Sequence, residues 1–456
     1  MPQQQKKNRP AEAKLNILVV GAGLGGVGAA ISSLLAGHSV HILESASGIG
    51  EIGAGIQVLP NSSKVLKYWG LEAALTAQAI LPKRANLLRW KEGTRLSSLD
   101  FAASAAKYPG TSYWDFHRAD LHRVLIQRML ELGGTVECAA RVVDVRTNVE
   151  GQKSDATVVL ADGRQFTADL VVGADGIHSR MREILVGKPQ PPTKTGDLAY
   201  RLLLDTNEML KDPELAPFVR DEEVNYWIGP DIHVVTYILR KGSLCNMVLL
   251  VPDDMPADGA STLEGNVEEM RALCTKWDPR ISKLLALCSN VSKWRLCIVE
   301  PLETWYHPSG SFVLLGDSVH ATLPYLSSGA GMSFEDAAVL GDCLGRLRAT
   351  SVAEKLFALK VYQQCRKERT EMIVQRGSMQ QILYHLHDGP EQEERDRRLA
   401  VNDSAKTDSE MEAGEALVWR DPILAPKLLG YDHLIDVSLD PMNQIVSRLL
   451  IDISSL

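Results

Sequence analysis

The sequence lacks the features that would direct a protein into a membrane or out of the cell. No uninterrupted apolar run reaches the roughly 18 residues that a membrane span requires. The first ten residues, MPQQQKKNRP, contain no apolar stretch of the kind found in signal peptides, so we predict a disordered leader over residues 1–14. The seven cysteines form no CxxC pair and no Cys/His cluster, which gives no support to a zinc site or a disulfide framework. We therefore expect a soluble cytoplasmic protein without a metal site.

Positive charge is also in deficit. Lysine and arginine total 49 against 57 acidic residues, and the net charge of −8 argues against binding nucleic acid through a general basic field. Hydrophobic residues at 45% and charged residues at 23% are typical of globular proteins. A chain of 456 residues is too long for one compact core, so we predict two or three domains.

The chain opens with the pattern of a βαβ unit. A β-rich run over residues 15–20 precedes a glycine-rich turn, a helix of small residues follows, and a second strand over 40–43 ends at Glu44. Residues 170–172 and 312–315 read as further buried strands of the same kind. From about 191 to 297 alternating strands mix with acidic loops, which is typical of an antiparallel α+β domain.

Three glycines at 21–26 follow the pattern GxGxxG. Gly21 permits the tight turn, Gly23 lets the backbone approach a pyrophosphate, and Gly26 lets the helix pack on the strand. The N-terminus of the helix presents free N–H groups to the phosphates. Glu44 closes the second strand about 20 residues further on, where a carboxylate can accept hydrogen bonds from ribose hydroxyls. This combination predicts a binding site for FAD or NAD.

Two further motifs directly follow buried strands. Residues 175–182 read DGIHSRMR, and residues 316–324 read GDSVHATLP before the glycine pair at 329–331. An aspartate at the end of a strand can hold a ribityl hydroxyl. Backbone amides at a helix N-terminus can face the pyrimidine edge of a flavin, where negative charge gathers on reduction.

This ordered set of GxGxxG with Glu44, DGxxSxxR and GDxxHxxxP resembles the single-component FAD-dependent aromatic hydroxylases, which have the para-hydroxybenzoate hydroxylase fold. The subgroup looks like the fungal salicylate-hydroxylase-type monooxygenases. The resemblance runs from about residue 15 to 432. Further segments that support the subgroup lie at residues 53–57, 117–122, 199–201, 419–422 and 430–432.

The resemblance implies an α/β fold in which a Rossmann-like FAD-binding domain carries an inserted antiparallel α+β substrate domain and a helical C-terminal segment. The FAD-binding domain would comprise residues 15–190 and 298–385. The substrate domain would comprise residues 191–297. The helical and charged C-terminal segment would comprise residues 386–456.

The resemblance also assigns cofactor-binding roles residue by residue. Three assignments concern the parts of FAD: the ADP half, the pyrophosphate or ribityl region, and the flavin ring. The DGxxSxxR segment serves both FAD and the reduced nicotinamide cofactor in this family. The residues implied for the ADP half are Gly21, Gly23, Gly26 and Glu44. Arg118 would reach the pyrophosphate or ribityl region, Asp317 would bind the ribityl chain, and Ala330 with Gly331 would bind the ring. The other cofactor-binding residues implied are Ala54, Gly55 and, within DGxxSxxR, Asp175. One departure is Met332-Ser333, where many relatives carry an asparagine two residues after the glycine.

The implied function is that of an FAD-dependent monooxygenase. NADH or NADPH binds transiently and reduces FAD, O₂ adds at the flavin C4a position, and the hydroperoxide hydroxylates a small aromatic substrate. That substrate would be phenolic, salicylate-like or a secondary metabolite. Two alternatives stay open at this stage. One is another FAD oxidoreductase on the same scaffold, namely an epoxidase, a reductase or a halogenase, and the other is a flavin-binding protein without turnover.

We predict Arg201, His233 and Tyr237 as the catalytic residues. The resemblance places Arg201, which follows Tyr200, on a substrate-domain strand that faces the flavin, where its guanidinium could pair with a phenolate or carboxylate. His233, Val235 and Tyr237 lie at every second position of one strand, so their side chains all point to the same face. The alternatives are a surface arginine on an edge strand and a packed sheet face for His233 and Tyr237.

Overall fold

The protein is described by a computed structural model that covers residues 11–50 and 53–438. Within these ranges, no helix is both long enough and apolar enough to span a membrane. Most of the predicted leader lies outside the described residues. Its last residues are part of the fold, because Ala11 donates a backbone hydrogen bond to Ala36 and the side chain of Ala13 is buried.

The strands of the described residues are numbered in chain order. They are β1 (Asn16–Val20), β2 (Ser39–Leu43), β3 (Gly55–Val58), β4 (Arg84–Arg89), β5 (Arg95–Asp100), β6 (Trp114–His117), β7 (Thr135–Glu137), β8 (Val142–Glu150), β9 (Lys153–Leu160), β10 (Gln165–Ala168), β11 (Leu170–Gly173), β12 (Thr193–Asp205), β13 (Val224–Gly229), β14 (Ile232–Leu239), β15 (Leu244–Pro252), β16 (Thr262–Gly265), β17 (Val291–Ile298) and β18 (Phe312–Leu314).

The α-helices of the same residues are numbered in the same way. They are α1 (Leu24–Leu35), α2 (Pro60–Tyr68), α3 (Glu72–Thr76), α4 (Phe101–Ala106), α5 (Arg118–Glu131), α6 (Arg180–Val186), α7 (Thr206–Met209), α8 (Ala216–Arg220), α9 (Val267–Leu273), α10 (Pro279–Ala286), α11 (Asp317–His320), α12 (Gly329–Leu344), α13 (Val352–Tyr384), α14 (Pro390–Ser404), α15 (Leu424–Leu429) and α16 (His433–Ser438). Short 3₁₀ helices occupy Arg240–Gly242, Pro324–Leu326 and Asp408–Glu410.

A parallel sheet in the order β18-β11-β1-β2-β7 forms the first layer of the protein. Its central strands are almost continuously apolar and buried, as expected for a sheet that is covered on both faces. Helices α1 and α12 pack on each other beside this sheet. The loops that leave the carboxyl ends of β1, β11 and β18 therefore meet at one edge, where the three glycine- and aspartate-containing motifs lie.

A larger sheet forms the second layer, in the order β16-β17-β12-β15-β14-β13-β4-β5. One of its faces carries alternate residues such as Tyr200 and Leu202, which are buried against apolar residues of α9 and α10. The other face turns toward the edge of the parallel sheet and lines a cavity. The sheet pairs antiparallel throughout except between β4 and β13, which run parallel.

Strands β4 and β5 belong to the larger sheet although the sequence-based division assigns residues 84–100 to the first part of the FAD-binding domain. The division itself stays a prediction. In the C-terminal segment, α14 packs against β5, with Leu399 fully buried. Residues 439–456 of the predicted segment lie outside the described part of the chain.

Candidate functional site

The glycine-rich turn folds tightly between β1 and α1. Gly21 has a φ of +103°, and a Cβ there would lie 2.5 Å from the carbonyl oxygen of Ala174. A Cβ on Gly26 would clash with the carbonyl oxygen of Gly21, whereas a Cβ on Gly23 would meet no atom within 4 Å. Two of the glycines are therefore required by the fold, and the space above Gly23 is open to a ligand.

Glu44 lies beside this turn and is tied to backbone. Its carboxylate accepts hydrogen bonds from the N–H of Ala22 at 2.8 Å and from the N–H of Ala46 at 2.7 Å. A carboxylate can accept further bonds, so a ribose hydroxyl could share these oxygens. The strand-end acid is thus adjacent to the glycine turn, as its position after β2 predicts.

Two neighbouring cavities run from the glycine turn to the larger sheet. The smaller one has a volume of about 120 Å³ and is lined by Gly23, Gly25 and Gly176 among others. The larger one has a volume of about 310 Å³ and lies against the inner face of the larger sheet. Arg118, Asp317 and Ala330 line both, so these residues mark the junction.

The junction residues come from three separate elements. Arg118 begins α5, Asp317 begins α11 directly after β18, and Ala330 lies in the first turn of α12. The side chain of Asp317 is exposed, and within residues 11–50 and 53–438 its carboxylate has no hydrogen-bond partner. Gly331 is buried one residue further on, where a Cβ would lie 3.3 Å from Ser62. Ala54 and Gly55 complete this side of the larger cavity.

Asp175 is placed at the same edge but its side chain is used within its own turn. It accepts hydrogen bonds from the hydroxyl of Ser179 and from the N–H of Met181, the latter at 3.0 Å. Burial raises the pKa of Asp175, and the hydrogen bond from Ser179 opposes that rise. The arginine of the DGxxSxxR motif, Arg182, is buried and donates to the carbonyl oxygens of Val319 and Glu300. This motif therefore anchors the loop that carries Asp317.

Arg201 lines the larger cavity from β12. This strand lies between β17 and β15, so it is not an edge strand. The guanidinium carbon of Arg201 lies 4.8 Å from the centre of the Trp294 ring, and no described carboxylate forms an ion pair with it. Burial lowers the pKa of Arg201, and the positive charge of Arg118 lowers it further. Arg295 lines the same cavity, but its charge is neutralised by Asp253 at 2.6 Å.

His233 and Tyr237 also line the larger cavity, on the same face of β14 as Val235. The predicted common orientation of these three residues is confirmed. The Nδ1 atom of His233 lies 2.8 Å from Nε2 of His385. Burial, and then the neighbouring His385, hold the pKa of His233 well below its usual value. Burial raises the pKa of Tyr237 well above its usual value.

Sequence reasoning missed the parts of the cavity that come from distant elements. Tyr226 donates to Oε1 of Gln57 at 3.0 Å, and Ser327 donates to the same oxygen at 2.8 Å. Tyr325 lines the wall beside His233. Gln57 lies in a segment that the resemblance highlighted, but no sequence pattern indicated its partners.

The residues present fit FAD. The turn leaves room at Gly23 for a phosphate beside the N-terminus of α1. The junction offers Arg118 and the carboxylate of Asp317, which has no hydrogen-bond partner among the described residues. The larger cavity continues beyond the junction toward the substrate-facing sheet, so a flavin ring and a small substrate could lie side by side. In this arrangement the flavin ring would pass Ala330 at the start of α12.

Comparison with known proteins identifies the family. The model of a family described as FAD binding domain matches residues 14–377. The chain is 39% identical over 429 residues to the FAD-dependent monooxygenase OpS4 of Beauveria bassiana, covering 92% of this chain and 96% of that protein. It is 35% identical over 358 residues to the 6-hydroxynicotinate 3-monooxygenase of Pseudomonas fluorescens, covering 78% of this chain and 89% of that protein.

Solved structures share the fold. A salicylate hydroxylase in a substrate complex has a TM-score of 0.74 and 23% identity, over 94% of this chain and 98% of that chain. Klebsiella pneumoniae HpxO with FAD and uric acid has a TM-score of 0.71 and 23% identity, over 87% and 94%. The predicted fold class and the predicted FAD cofactor are confirmed. The chain belongs to the FAD binding domain family and is an FAD-dependent monooxygenase.

Proposed function

We propose that the protein uses O₂ and NADH or NADPH to hydroxylate a small anionic aromatic substrate, a phenol or an aromatic acid. The observation that carries this proposal is the guanidinium of Arg201, which faces a cavity of about 310 Å³ without a carboxylate partner among the described residues. A buried charge without a partner is costly, so the site is suited to a ligand of opposite charge.

Arg201 would pair with the phenolate or carboxylate of the substrate. A guanidinium can form two parallel hydrogen bonds to such a group, which fixes the orientation of the ring as well as its position. Holding the phenolate form makes the ring richer in electrons, which favours attack by an electrophilic oxygen. Trp294 packs against the guanidinium and limits the directions in which it can point.

The remaining wall of the cavity suits an aromatic ring. Val235, Val248 and Leu250 contribute apolar surface, and Tyr237 lies beside them on the same sheet face. His233 adds a polar group to this wall from β14. The names of two relatives support this substrate class, because one is named for 6-hydroxynicotinate and another for 3-amino-4-hydroxybenzoate.

The residues that would hold FAD are those of the glycine turn and the junction. Gly23 would admit the pyrophosphate, Glu44 would accept from the ribose, Arg118 and Asp317 would contact the middle of the cofactor, and Ala330 the ring. When bound, FAD takes up electrons from the nicotinamide cofactor and activates O₂. The protein would contribute a partly enclosed cavity and a charge that orients the substrate.

The test compares Arg201→Gln and Arg201→Lys with the unaltered protein. Both variants should keep stoichiometric FAD, because Arg201 lies in the larger cavity and not among the smaller cavity's residues. Both should lose at least about tenfold in substrate-dependent hydroxylation of phenols and salicylates, since a charge-assisted pair contributes roughly 1.5–3 kcal/mol. Any remaining NAD(P)H oxidation should release peroxide.

The matched control is Arg240→Gln, which removes an exposed arginine paired with Asp120 outside the cavity. That variant should hydroxylate at the normal rate. Near-normal product formation by Arg201→Gln at saturating substrate would refute the pairing role. A product mass that differs by one chlorine or by two hydrogens, in place of one oxygen, would instead show a halogenase or a reductase.

A further inference from the structure

A third cavity, with a volume of about 400 Å³, lies apart from the two that form the cofactor and substrate site. Its walls come from α11, from α13 and from residues 298–305, where β17 ends. Among the described residues, none that lines this cavity also lines either of the other two. Small-molecule sites are typically concave and mostly apolar. Leu302, Val319 and Val374 give the third cavity a wall of this kind.

The third cavity also has a buried polar atom without a partner. Trp305 and His320 both line it, their ring centres lie 5.5 Å apart, and the two residues are 2% and 5% exposed. Nε2 of His320 lies 2.5 Å from Oδ2 of Asp336. Nδ1 of the same ring is buried and has no hydrogen-bond partner among the described residues. Because an unpaired buried polar atom is costly, Nδ1 indicates that the cavity receives a polar group.

The neighbours of His320 determine which polar group suits Nδ1. Asp336 is already paired with Arg366, whose Nε lies 2.8 Å from its other carboxylate oxygen. In the neutral imidazole of His320, the single proton lies on Nε2, the nitrogen that faces the carboxylate. Nδ1 then carries a lone pair. A ligand that reaches this atom must therefore bring an N–H or O–H group.

Two carboxylates lie on the exposed rim of the third cavity. Glu300 is exposed, and the side chain of Glu371 is 36% exposed. Lys367 lies 4.0 Å from Glu371, but it also donates to the backbone carbonyl of Glu303. No lysine or arginine of the described residues lines this cavity, whereas three arginines line the larger one. The rim therefore attracts a cation and repels the aromatic acids that suit the larger cavity.

We propose that the third cavity binds a small aromatic amine, and that this ligand strengthens the binding of FAD. The aromatic ring would pack on Trp305 and the apolar wall, with a ring N–H or O–H donating to Nδ1 of His320. The protonated amine would lie at the rim beside Glu300 and Glu371. This site is independent of the hydroxylation reaction proposed above.

Helix α11 connects this site with the cofactor side. It comprises only four residues: Asp317 at its start lines the junction of the first two cavities, and His320 at its end lines the third. The same oxygen of Asp336 that contacts His320 also accepts from the N–H of Gly316, the residue before the helix, at 3.1 Å. A ligand that holds His320 would therefore restrain Asp317 in the position from which it is proposed to contact FAD.

The first experiment measures binding to oxidised holoenzyme without NAD(P)H by titration calorimetry. The probes share one ring system: tryptamine, indole-3-acetate and 1-methyltryptamine. Tryptamine should bind at least about tenfold more tightly than indole-3-acetate, because two exposed carboxylates attract its charge and repel that of the acid. 1-Methyltryptamine lacks the ring N–H and should bind about fivefold more weakly than tryptamine.

The charge preference is tested in a double variant of the rim, Glu300→Gln with Glu371→Gln. Tryptamine should lose about five- to tenfold in affinity there, and its advantage over indole-3-acetate should disappear. The control is Glu303→Gln with Glu368→Gln, which makes the same change of charge at two exposed residues that do not line the cavity. That double variant should bind tryptamine like the unaltered protein.

The location of the ligand is tested by filling the cavity. Val374→Trp should abolish tryptamine binding, because the indole side chain would occupy the space beside α13. Met379→Trp introduces the same side chain on the same helix at a position that is 57% exposed and outside the cavity, and it should bind normally. The FAD content of both variants reports whether they are folded. The rim variant tests the same site without any change of volume.

The coupling is measured by the release of FAD when holoenzyme is diluted, followed by flavin fluorescence. Saturating tryptamine should lower the dissociation constant of FAD at least about fivefold, which is the lower end of typical coupling between two sites. Val374→Trp should show no such response.

If tryptamine binds no more tightly than indole-3-acetate, or if Val374→Trp leaves its binding unchanged, the site is refuted. If Val374→Trp abolishes binding but tryptamine leaves FAD release from the unaltered protein unchanged, the coupling through α11 is refuted.

Discussion

Two arginines in different regions of the molecule, one buried and one half-buried, are surrounded in opposite ways. Arg366, on the long helix α13 beside the parallel sheet, donates to Glu335 at 2.7 Å and to Asp336 at 2.8 Å. Arg201, on the inner face of the larger sheet, packs on Trp294 and has no such carboxylate among the described residues. Burial opposes the charge of both. At Arg366 the neighbouring Tyr431 and the two carboxylates outweigh the effect of burial and hold the pKa of the guanidinium well above its usual value. At Arg201 burial prevails, and the pKa of the guanidinium is lowered.

The two arginines differ in role: Arg366 stabilises the structure, whereas Arg201 is available to bind a ligand. Glu335 and Asp336 lie on α12, whose first turn carries Ala330 at the junction of the cavities, so Arg366 fixes the helix on which the cofactor site is built. Its charge is neutralised within the protein and has no need of a ligand. The charge of Arg201 is left for a molecule that enters the cavity. An arginine whose charge is paired with carboxylates of the protein thus indicates a structural role, and one without such a pair indicates recognition of a ligand.

The strongest test of this comparison removes the paired arginine. Arg366→Met should lower the free energy of unfolding by about 3 kcal/mol or more, because Glu335 and Asp336 would remain buried with less compensation. Arg369 and His320 still contact these carboxylates, which limits the loss. Denaturant unfolding of the holoenzyme measures the effect.

The control for Arg366→Met is Arg397→Met, which removes an exposed arginine paired with Glu394 on α14. No measurable change in the unfolding midpoint is expected there, because exposed ion pairs contribute little. An equal change in the free energy of unfolding in Arg366→Met and Arg397→Met would contradict a structural role for Arg366.

A second test concerns the glycines of the cofactor side. Gly26→Ala should cost about 1–3 kcal/mol in stability, because its Cβ would clash with the carbonyl of Gly21. Gly23→Ala has no atom in its way, so it should unfold like the unaltered protein and yet retain less FAD after dialysis. Unfolding curves of the flavin-free proteins, together with FAD absorbance, measure both properties. Full FAD retention in Gly23→Ala would show that the cofactor does not use this space.

A third test uses Asp115 on β6, a buried acid that forms no ion pair with any described residue. Burial raises its pKa to about 8, although the hydrogen bond from Gln57 opposes the rise. The native state therefore holds a proton that the unfolded chain releases between about pH 4 and pH 8, and stability should fall as the pH rises through this interval. The slope is at most about 1.4 kcal/mol per pH unit.

Asp115→Asn should remove that contribution, so its stability relative to the unaltered protein should increase from about pH 5 to pH 7. Thermal unfolding at several pH values measures the difference. Asp144→Asn, on an exposed strand position beside Arg146, is the control and should show no such trend. A constant difference between Asp115→Asn and the unaltered protein across this range would mean that Asp115 is ionised in the native state.

The smallest expected change in stability comes from the unpaired arginine itself. Arg201→Met should unfold within about 0.5 kcal/mol of the unaltered protein, or be slightly more stable, since it removes a half-buried charge that has no carboxylate partner among the described residues. Salicylate should raise the melting temperature of the unaltered holoenzyme but not that of Arg201→Met. A loss of several kcal/mol in this variant would place Arg201 with Arg366 among the structural residues.

The cofactor-binding side of the site could be predicted from the sequence because the residues that form it lie close together in the chain. The glycine turn combines β1, α1 and Glu44 within about 30 residues, and the requirement for glycine arises from local backbone geometry. The aspartates that follow β11 and β18 are brought together by the general property of parallel sheets that their carboxyl ends meet. The use of Asp175 within its own turn was not predictable, because it depends on the placement of Ser179 and Met181.

The substrate side could be predicted only in part. Alternation along β14 indicated that His233 and Tyr237 share a face, the resemblance placed Arg201 on a strand facing the flavin, and all three residues line one cavity. The partners that define their chemistry come from distant segments, because Trp294 lies on β17 and His385 at the end of α13. These contacts depend on the register of the strands and on the position of the helix, and neither can be predicted from a local sequence pattern.

The parallel pairing of β4 with β13 has a consequence for how the protein is made. Asn86 on β4 and Asn225 on β13 are 139 residues apart in the chain, and they are hydrogen-bonded in the folded protein. At ribosomal rates of about 5–20 residues per second, β4 and β5 emerge roughly 7–30 s before the strand that they join. During that time the hairpin exposes backbone groups and the apolar side chains of Leu87 and Leu99, which are buried in the finished sheet. The hairpin therefore stays without its neighbouring strand until β13 has been made, and expressing segment 191–297 alone would leave β13 without β4.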